Sequence, residues 1–347
     1  MKKRHIIYIA LGLMILFGCG LFGLPTQPVL PTIQLPGEVV LEWPGGREFL
    51  NGSFGPGLTN TFIATVVTYI LIIAGVLALR ARSRSADEVP TGFYNLVEML
   101  IDGAYGYVQN AAGRWARPFF PFFMTFVLLI LTANWLELVP GVDSIGLKED
   151  LIRHRVEVAE EEAHLAGEEL SDAEIARIEE AAASEGGHFV GPLLLRAEDG
   201  EAGEAVVPFL RAAATDLNFT FALAVVSVLF TQYFGFRAYG ARYVTRFLNW
   251  KEKKIARNPL GLMDFIVGIL EGISELAKII SFSFRLFGNI FAGQVLLFII
   301  GFLAPVALIG VYGLEFFIGA IQALIFGLLT LTFMAQAATG HHEDDEH

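Results

Sequence analysis

The dominant pattern of this chain is a series of long apolar runs separated by charged loops. Four of the runs are long enough to cross a bilayer as single helices, and they cover residues 61–79, 118–139, 217–236 and 314–334. Another apolar run, 6–24, follows a basic start, so residues 1–24 are typical of either a signal peptide or an uncleaved amino-terminal anchor. The pattern predicts an all-α polytopic membrane protein with about five membrane helices after this segment.

A fifth segment, 260–304, predicts an unusually long helix because its 45 residues contain no proline. As one helix it would measure about 67 Å, roughly twice the hydrocarbon thickness of a bilayer. Its first half also carries four charged side chains, so we expect it to be steeply tilted or to lie partly on the membrane surface. Ala304-Pro305 then turn the chain, and residues 260–340 are predicted to form a helical hairpin.

Basic residues define the expected topology. The cluster at 80–84 and the loop 237–257, with seven basic residues and one acidic residue, are expected in the cytoplasm. The predicted organisation is an extracytoplasmic loop at 25–57, the first membrane helices at 58–146 with an amphipathic helix at 94–113, an insert at 147–208, a membrane helix with its cytoplasmic loop at 209–259, the hairpin at 260–340 and a cytoplasmic tail at 341–347.

Negative charge is concentrated in the insert. Between Lys148 and Glu204 there are 17 acidic and 5 basic residues, a net charge of −12 that equals the net charge of the whole chain. Because side chains at this charge density stay in water, we predict a water-exposed, extracytoplasmic helical hairpin whose charges form a solvated face. Ser171-Asp-Ala-Glu174 is a capping box that marks the start of one helix.

Composition excludes several classes of protein. With 54% hydrophobic residues the chain is not a soluble domain, and its single cysteine, Cys19, excludes an internal disulfide or a cysteine-based metal cluster. The sequence also lacks a Gly-rich phosphate-binding loop, so we expect no nucleotide chemistry in this chain. We predict no cofactor, no metal and no nucleic-acid partner.

Six polar residues form a stripe on one face of the predicted 260–304 helix, which we call the polar ladder. They are Glu271, Ser274, Lys278, Ser281, Arg285 and Asn289, and their spacing averages about 3.6 residues, the period of an α-helix. Since the neighbouring positions are Leu, Ile and Phe, the pattern favours the lining of a hydrated path. The alternative is a polar seam that packs against another helix.

Arg285 is the most informative member of the polar ladder because no other charge lies between 279 and 304. Placing an arginine at the centre of a membrane helix costs roughly 3 kcal/mol on insertion scales. Its guanidinium does not deprotonate to escape that cost. Arg285 therefore indicates a working part of an ion or proton path, with an arginine that snorkels to the membrane interface as the alternative.

The returning helix carries two polar side chains, Glu315 and Gln322, on one helical face because they are seven residues apart. By the topology above, Glu315 is near the extracytoplasmic end and Gln322 is deeper. A glutamate within a membrane is costly unless it protonates or reaches water. Glu315 is thus either a proton-carrying group or an interfacial residue at the hairpin turn.

Four stretches together resemble subunit a of the rotary F-type ATP synthase of bacteria. The most specific stretch is 271–293, which contains Ser281-Phe-Ser-Phe-Arg-Leu-Phe-Gly-Asn289, and the second is 322–330 on the returning helix. Asn134-Trp-Leu-Glu137-Leu-Val-Pro140 and Thr215-Asp-Leu-Asn218 are similar to weaker family features. The resemblance runs from about residue 62 to residue 338, interrupted by the insert.

The resemblance implies a role for each matching residue. Arg285 would face the carboxylates of a rotor ring, the c-ring, with Gln322 as its partner on the last helix. Glu271 and Ser281 would belong to a cytoplasmic half-channel. The extracytoplasmic half-channel would be formed by Asn289, Gln294 and Glu315, with Asn134 and Glu137 near its mouth. Many relatives carry a titratable residue where Gln294 stands, so Glu315 is expected to take over that duty.

The resemblance also implies a non-catalytic subunit whose two tilted carboxy-terminal helices lie against the ring. Its partners would be the c-ring, the peripheral-stalk b subunits, the whole F1Fo complex and the lipid bilayer of the bacterial inner membrane. Two rival functions remain open at this point. A secondary transporter would show an internal repeat, which the sequence lacks, and a scaffold protein would leave the polar ladder unexplained.

Overall fold

The structure, a computed structural model, describes most of the membrane helices and parts of the loops. It covers residues 37–43, 57–83, 92–139, 146–150, 170–185, 187–190, 193–196, 204–247, 259–303 and 307–339, together with seven residues between 152 and 163. The predicted signal or anchor, the turn at Ala304-Pro305 and the cytoplasmic tail lie outside the described residues. The chain divides into two compact units, one comprising 1–63, 137–211 and 292–316 and the other 64–136, 212–291 and 317–347.

Most of the described helices belong to the membrane segments, and one further helix, Asp172–Glu185, lies in the acidic insert. The helices are α1 (Asn60–Ser83), α2 (Phe93–Ala112), α3 (Ala116–Glu137), α4 (Asp172–Glu185), α5 (Leu217–Tyr239), α6 (Pro259–Leu303) and α7 (Leu308–Thr339). Short 3₁₀ turns occupy Gly113–Trp115, Ala213–Thr215 and Gly240–Arg246. The strands are β1 (Val39–Glu42), β2 (Gly57–Thr59), β3 (Gly146–Asp150), β4 (Gly187–Val190), β5 (Leu193–Arg196) and β6 (Glu204–Pro208).

The predicted membrane spans are confirmed as helices. Within the described residues, four helical stretches are long and apolar enough to cross a membrane: Asn60–Ala81, Phe93–Glu137, Leu217–Val244 and Leu308–Thr339. The long segment predicted at 260–304 is a single helix of 45 residues, α6. The returning helix α7 is longer than the apolar run that predicted it, because residues 308–313 and 335–339 on either side of that run also belong to the helix.

Sequence signals explain where α5 begins and ends. Asp216 precedes the helix in an extended conformation, and its carboxylate accepts a hydrogen bond from the backbone N–H of Asn218 at 2.8 Å. This cap satisfies one of the free N–H groups of the first turn. The helix ends at Gly240, whose φ of 59° lies in the left-handed region that favours glycine.

The core of the second unit joins α3, α5, α6 and α7 through buried apolar side chains. The Phe326 ring lies 5.0 Å from that of Phe282 and 5.4 Å from that of Phe126, measured between ring centres. Two hydroxyl pairs add polar links between helices, Thr220 with Ser283 at 3.2 Å and Ser227 with Thr330 at 2.8 Å. Small hydroxyl residues of this kind join membrane helices without exposing an unpaired polar group to lipid.

The segments predicted to lie outside the membrane contain strands, which we did not predict from the sequence. β1 lies in the segment expected to be an extended loop, 25–57, and pairs antiparallel with β2, which begins at the last residue of that segment. Helical residues are present in the insert, between 152 and 163 and in α4, but its two ends pair as β3 and β6, and β4 pairs with β5. A purely helical hairpin is therefore wrong. The missed signal is the Gly-Pro pair at 191–192 between two short apolar runs, which is typical of a turn between strands.

The capping box at the start of α4 is present, although the serine hydroxyl acts as a donor. Glu174 Oε2 accepts hydrogen bonds from the Ser171 backbone N–H at 3.0 Å and from Ser171 Oγ at 2.7 Å. The side-chain hydrogen bond from Ser171, followed by the backbone one, lowers the pKa of the Glu174 carboxyl below its usual value. The helix start is thus defined by the residue pair that the sequence indicated.

Candidate functional site: an exposed arginine and two polar clusters in membrane helices

Arg285 lies on an exposed part of α6. Its Nη2 donates a 3.4 Å hydrogen bond to Ser281 Oγ one turn earlier, and its guanidinium carbon is 5.9 Å from the ring centre of Phe282. Within the described part of the chain, no carboxylate pairs with Arg285. The cation is therefore placed on an apolar helix without a counter-charge from the described residues of its own chain.

The polar ladder around Arg285 is open rather than packed. Ser274 and Ser281 are exposed, and Glu271, Lys278 and Asn289 are partly buried. Large apolar side chains beside the ladder are exposed as well, namely Ile273, Leu276, Ile280 and Phe284. The ladder is thus not a seam buried within the described part of this chain, and this face of α6 is available to lipid or to another subunit.

Gln322 and Asn134, two of the predicted site residues in the same unit as Arg285, are buried polar side chains. Asn134 Nδ2 donates to the backbone carbonyl of Gly319 at 3.2 Å, which ties α3 to α7 one turn before Gln322. Asn134 Oδ1 and Gln322 Nε2 have no hydrogen-bond partner among the described residues. Buried polar atoms are normally paired, so these two atoms indicate a polar site inside the membrane helices.

A second polar cluster forms in the other unit, where the carboxylate of Glu315 lies directly against the backbone of Gly293. A Cβ atom at position 293 would overlap this carboxylate, with the Glu315 Cδ only 2.6 Å away. Gln294, the next residue on α6, is 4% exposed, and its Oε1 has no partner among the described residues. The structure thus brings Glu315 together with the Gly293–Gln294 segment.

Glu137 and Glu271 are both partly buried and both make further polar contacts. They belong to different units, Glu137 to the unit with Glu315 and Glu271 to the unit with Arg285. The described residues contain no group of histidine, cysteine and acidic side chains able to hold a metal ion.

Glu275 is a buried polar residue that the sequence reasoning left out of the candidate site. Its carboxylate accepts hydrogen bonds from Gln232 Nε2 at 3.0 Å and from Lys278 Nζ at 2.6 Å. Tyr243 completes the cluster, and its ring occupies space left by Gly235. The available signal was the spacing of three residues between Glu275 and Lys278, which places opposite charges on neighbouring turns.

Comparison with known proteins decides the family. The sequence model of the family described as ATP synthase A chain matches residues 62–335, well over half of the chain. The chain belongs to this family. Similar proteins named ATP synthase subunit a come from Mycobacterium ulcerans, 28% identical over 297 residues, and Syntrophobacter fumaroxidans, 24% identical over 292 residues. These alignments cover 83% and 84% of this chain and 90% and 89% of the two relatives.

Family membership confirms the resemblance inferred from the stretch around Arg285. It also confirms the prediction of a non-catalytic membrane subunit of an ATP synthase, because the matched family is that of subunit a. A third relative with the same name, from Moorella thermoacetica, is 24% identical over 289 residues and is covered over 92% of its length. The alignment with this chain therefore extends over nearly the whole length of each of these three relatives.

Proposed function

We propose that this chain is the stator subunit that provides two proton half-channels to a rotor ring and thereby couples proton flow to rotation and ATP synthesis. The observation that carries the proposal is the position of Arg285. It is an exposed cation on a membrane helix, it has no carboxylate partner among the described residues, and exposed apolar side chains surround it. A ring of subunits with lipid-facing carboxylates supplies the missing counter-charge and covers the apolar surface.

The extracytoplasmic half-channel is proposed to run past Glu315. Its carboxylate is buried against Gly293 beside the untitratable Gln294, which makes Glu315 the proton-carrying group of this cluster. Asn289 is proposed to lie further along the same path, with Asn134 and Glu137 near its mouth. The cytoplasmic half-channel is proposed to pass Glu271 and Ser281 on the polar ladder.

Arg285 separates the two half-channels and governs proton release. An opposite charge within about 4–6 Å favours the ionised form of a carboxylate by roughly 10- to 1000-fold. A ring carboxylate that reaches Arg285 therefore gives up its proton to the cytoplasmic half-channel. Gln322 contributes a buried amide donor on the last helix, α7. The fixed positive charge also repels a proton that crosses directly. Each charge moved across 100 mV supplies about 2.3 kcal/mol for rotation.

This function requires specific partners and a specific membrane. The partners are the c-ring, the peripheral-stalk b subunits and the rest of the F1Fo complex, and the location is the inner membrane of a bacterial cell. Bacterial relatives that carry the name ATP synthase subunit a support both statements.

A self-contained transporter needs no such partners, so purification of the chain distinguishes a transporter from a subunit of an ATP synthase. A tagged chain is expected to co-purify with a rotor ring and a catalytic head, and its recovery alone in an active transporting form would contradict the proposal.

Gly293→Ala is expected to disturb the proposed extracytoplasmic half-channel. The added methyl group would overlap the Glu315 carboxylate, which must then move away from α6. We expect proton-driven ATP synthesis in membrane vesicles to fall severalfold, because a proton-transferring group must stay in hydrogen-bonding geometry. Gly310→Ala on α7 is the matched control, since a methyl group there meets no atom within 4 Å. Equal rates for both variants would show that the position of Glu315 against Gly293 does not matter.

Removal of the acidic insert is expected to leave coupled pumping intact. β3 and β6 place the two ends of the insert side by side, with Leu147 opposite Val207 and Lys148 opposite Val206. A short Gly/Ser linker in place of 147–206 can therefore bridge the gap without pulling on the membrane helices. The measurement is proton pumping by the assembled complex. A complex that assembles with this linker but does not pump would make the insert part of the proton path.

A further inference from the structure

A buried carboxylate, Glu275, lies beside the polar ladder and has no role in the proton paths proposed above. It is 7% exposed and is held by two donors, Gln232 of α5 and Lys278 of α6. Gln232 is itself held from the 3₁₀ turn Gly240–Arg246, because the Tyr243 hydroxyl donates to Gln232 Oε1 at 2.9 Å. Three separate segments thus fix the orientation of one carboxylate.

The orientation of this carboxylate determines its ion pair with Lys278. Lys278 belongs to the polar ladder, its side chain is 20% exposed, and its Nζ lies 4.3 Å from the ring centre of Phe333. Arg285 follows seven residues later, about 10 Å along the helix axis and on the same face. Without a counter-charge on Lys278, the ladder would present two positive charges to any proton that travels along this face.

We propose that Glu275 is a positioning residue that neutralises Lys278, so that Arg285 remains the one uncompensated positive charge of the polar ladder. The hydrogen bond from Gln232 of α5 orients the Glu275 carboxylate towards Lys278, and the hydrogen bond from Tyr243 in turn orients Gln232. This inference rests on the proposed function, since it assumes that protons pass along the ladder. It adds Glu275 as a residue whose charge controls the cytoplasmic half of that passage through Lys278.

Removal of the negative charge gives the main test. In vesicles that contain the assembled complex, Glu275→Gln is expected to slow proton-driven ATP synthesis about tenfold. That factor is the effect of a unit charge about 10 Å away at an effective dielectric constant of about 20. The matched control is Glu98→Gln, the same change at an exposed acidic residue of α2, and it is expected to leave the rate unchanged.

A second-site variant separates charge compensation from packing. Lys278→Gln introduced together with Glu275→Gln removes both charges and leaves two side chains that hydrogen-bond as neutral partners. We expect the double variant to recover to within about threefold of the wild-type rate, because no unpaired charge remains. A purely structural role of the pair predicts no such recovery. A double variant as slow as Glu275→Gln alone would overturn the proposal.

Two further variants keep the outcome interpretable. If Glu275→Gln does not assemble, Tyr243→Phe tests the same chain of contacts, because it removes the hydroxyl that holds Gln232 and changes no charge at neutral pH. A rate within error of wild type for Tyr243→Phe would then count against the proposal. Arg285→Ala in the same vesicles tests the proposed function itself: if Arg285→Ala stops synthesis while Glu275→Gln does not affect it, only the inference about Glu275 fails.

Discussion

Arg285→Ala is expected to abolish ATP synthesis driven by a proton gradient while the chain still inserts and assembles. Insertion is not impaired, because the substitution removes a charge from a membrane helix. Synthesis is lost because a ring carboxylate no longer meets a cation that favours its ionised form, which slows proton release by roughly 10- to 1000-fold. The measurement is the rate of ATP synthesis in reconstituted vesicles, with assembly checked by co-purification of the other subunits.

Arg285→Lys is the matched control because it keeps a positive charge at neutral pH. We expect it not to restore coupled synthesis fully. A lysine ammonium is a point charge that loses its proton when it is desolvated, and it lacks the planar fork of the guanidinium. Full activity of Arg285→Lys would show that charge alone is sufficient at this position, and the geometric part of the account would be wrong.

Glu315→Gln is expected to give the second largest effect, a loss of at least about tenfold in the rate of proton-driven ATP synthesis. The substitution keeps the size of the side chain but removes its ability to carry a proton, and positioned proton-transfer groups contribute about 100-fold or more to such steps. Gln294 cannot compensate, because an amide does not titrate. The complex is expected to assemble normally, since the contact with Gly293 depends on shape.

Restoration of a titratable group beside position 315 sharpens this test. Gln294→Glu combined with Glu315→Gln returns one carboxyl group to the cluster on the facing helix, and we expect partial recovery of synthesis. A near-normal rate for Glu315→Gln alone, in fully assembled complex, would remove Glu315 from the proton path. That result would leave Glu315 as an interfacial residue near the hairpin turn, the alternative reading of its sequence position.

The membrane helices were predictable from the sequence because lipid restricts the possible structures so strongly. An apolar run must form a helix to pair its backbone groups, and the absence of proline from 260–304 was sufficient to predict the single helix α6. Strands in the insert were less predictable, since short runs such as those of β4 and β5 acquire their structure through pairing with each other. The capping box at Ser171 succeeded because it is a purely local signal.

The helical period predicted which site residues share a face of α6, but it did not predict their exposure or their contacts with other helices. The spacing of the polar ladder placed Arg285 and Ser281 on one face, and the structure shows their side chains in contact. The exposure of that face depends on packing by other helices and does not follow from spacing. Glu275 was missed for the same reason, because its partner Gln232 and the tyrosine behind it come from a segment 32 or more residues away.

Passive proton flux in Arg285→Ala shows whether this arginine separates two half-channels. Vesicles with the assembled complex are placed under a membrane potential, and proton uptake and ATP synthesis are recorded together. We expect proton flux above the wild-type background with no accompanying ATP synthesis, because the barrier between the half-channels is gone. Coupled ATP synthesis at the wild-type rate in this variant would contradict the account and leave the polar ladder with a structural role.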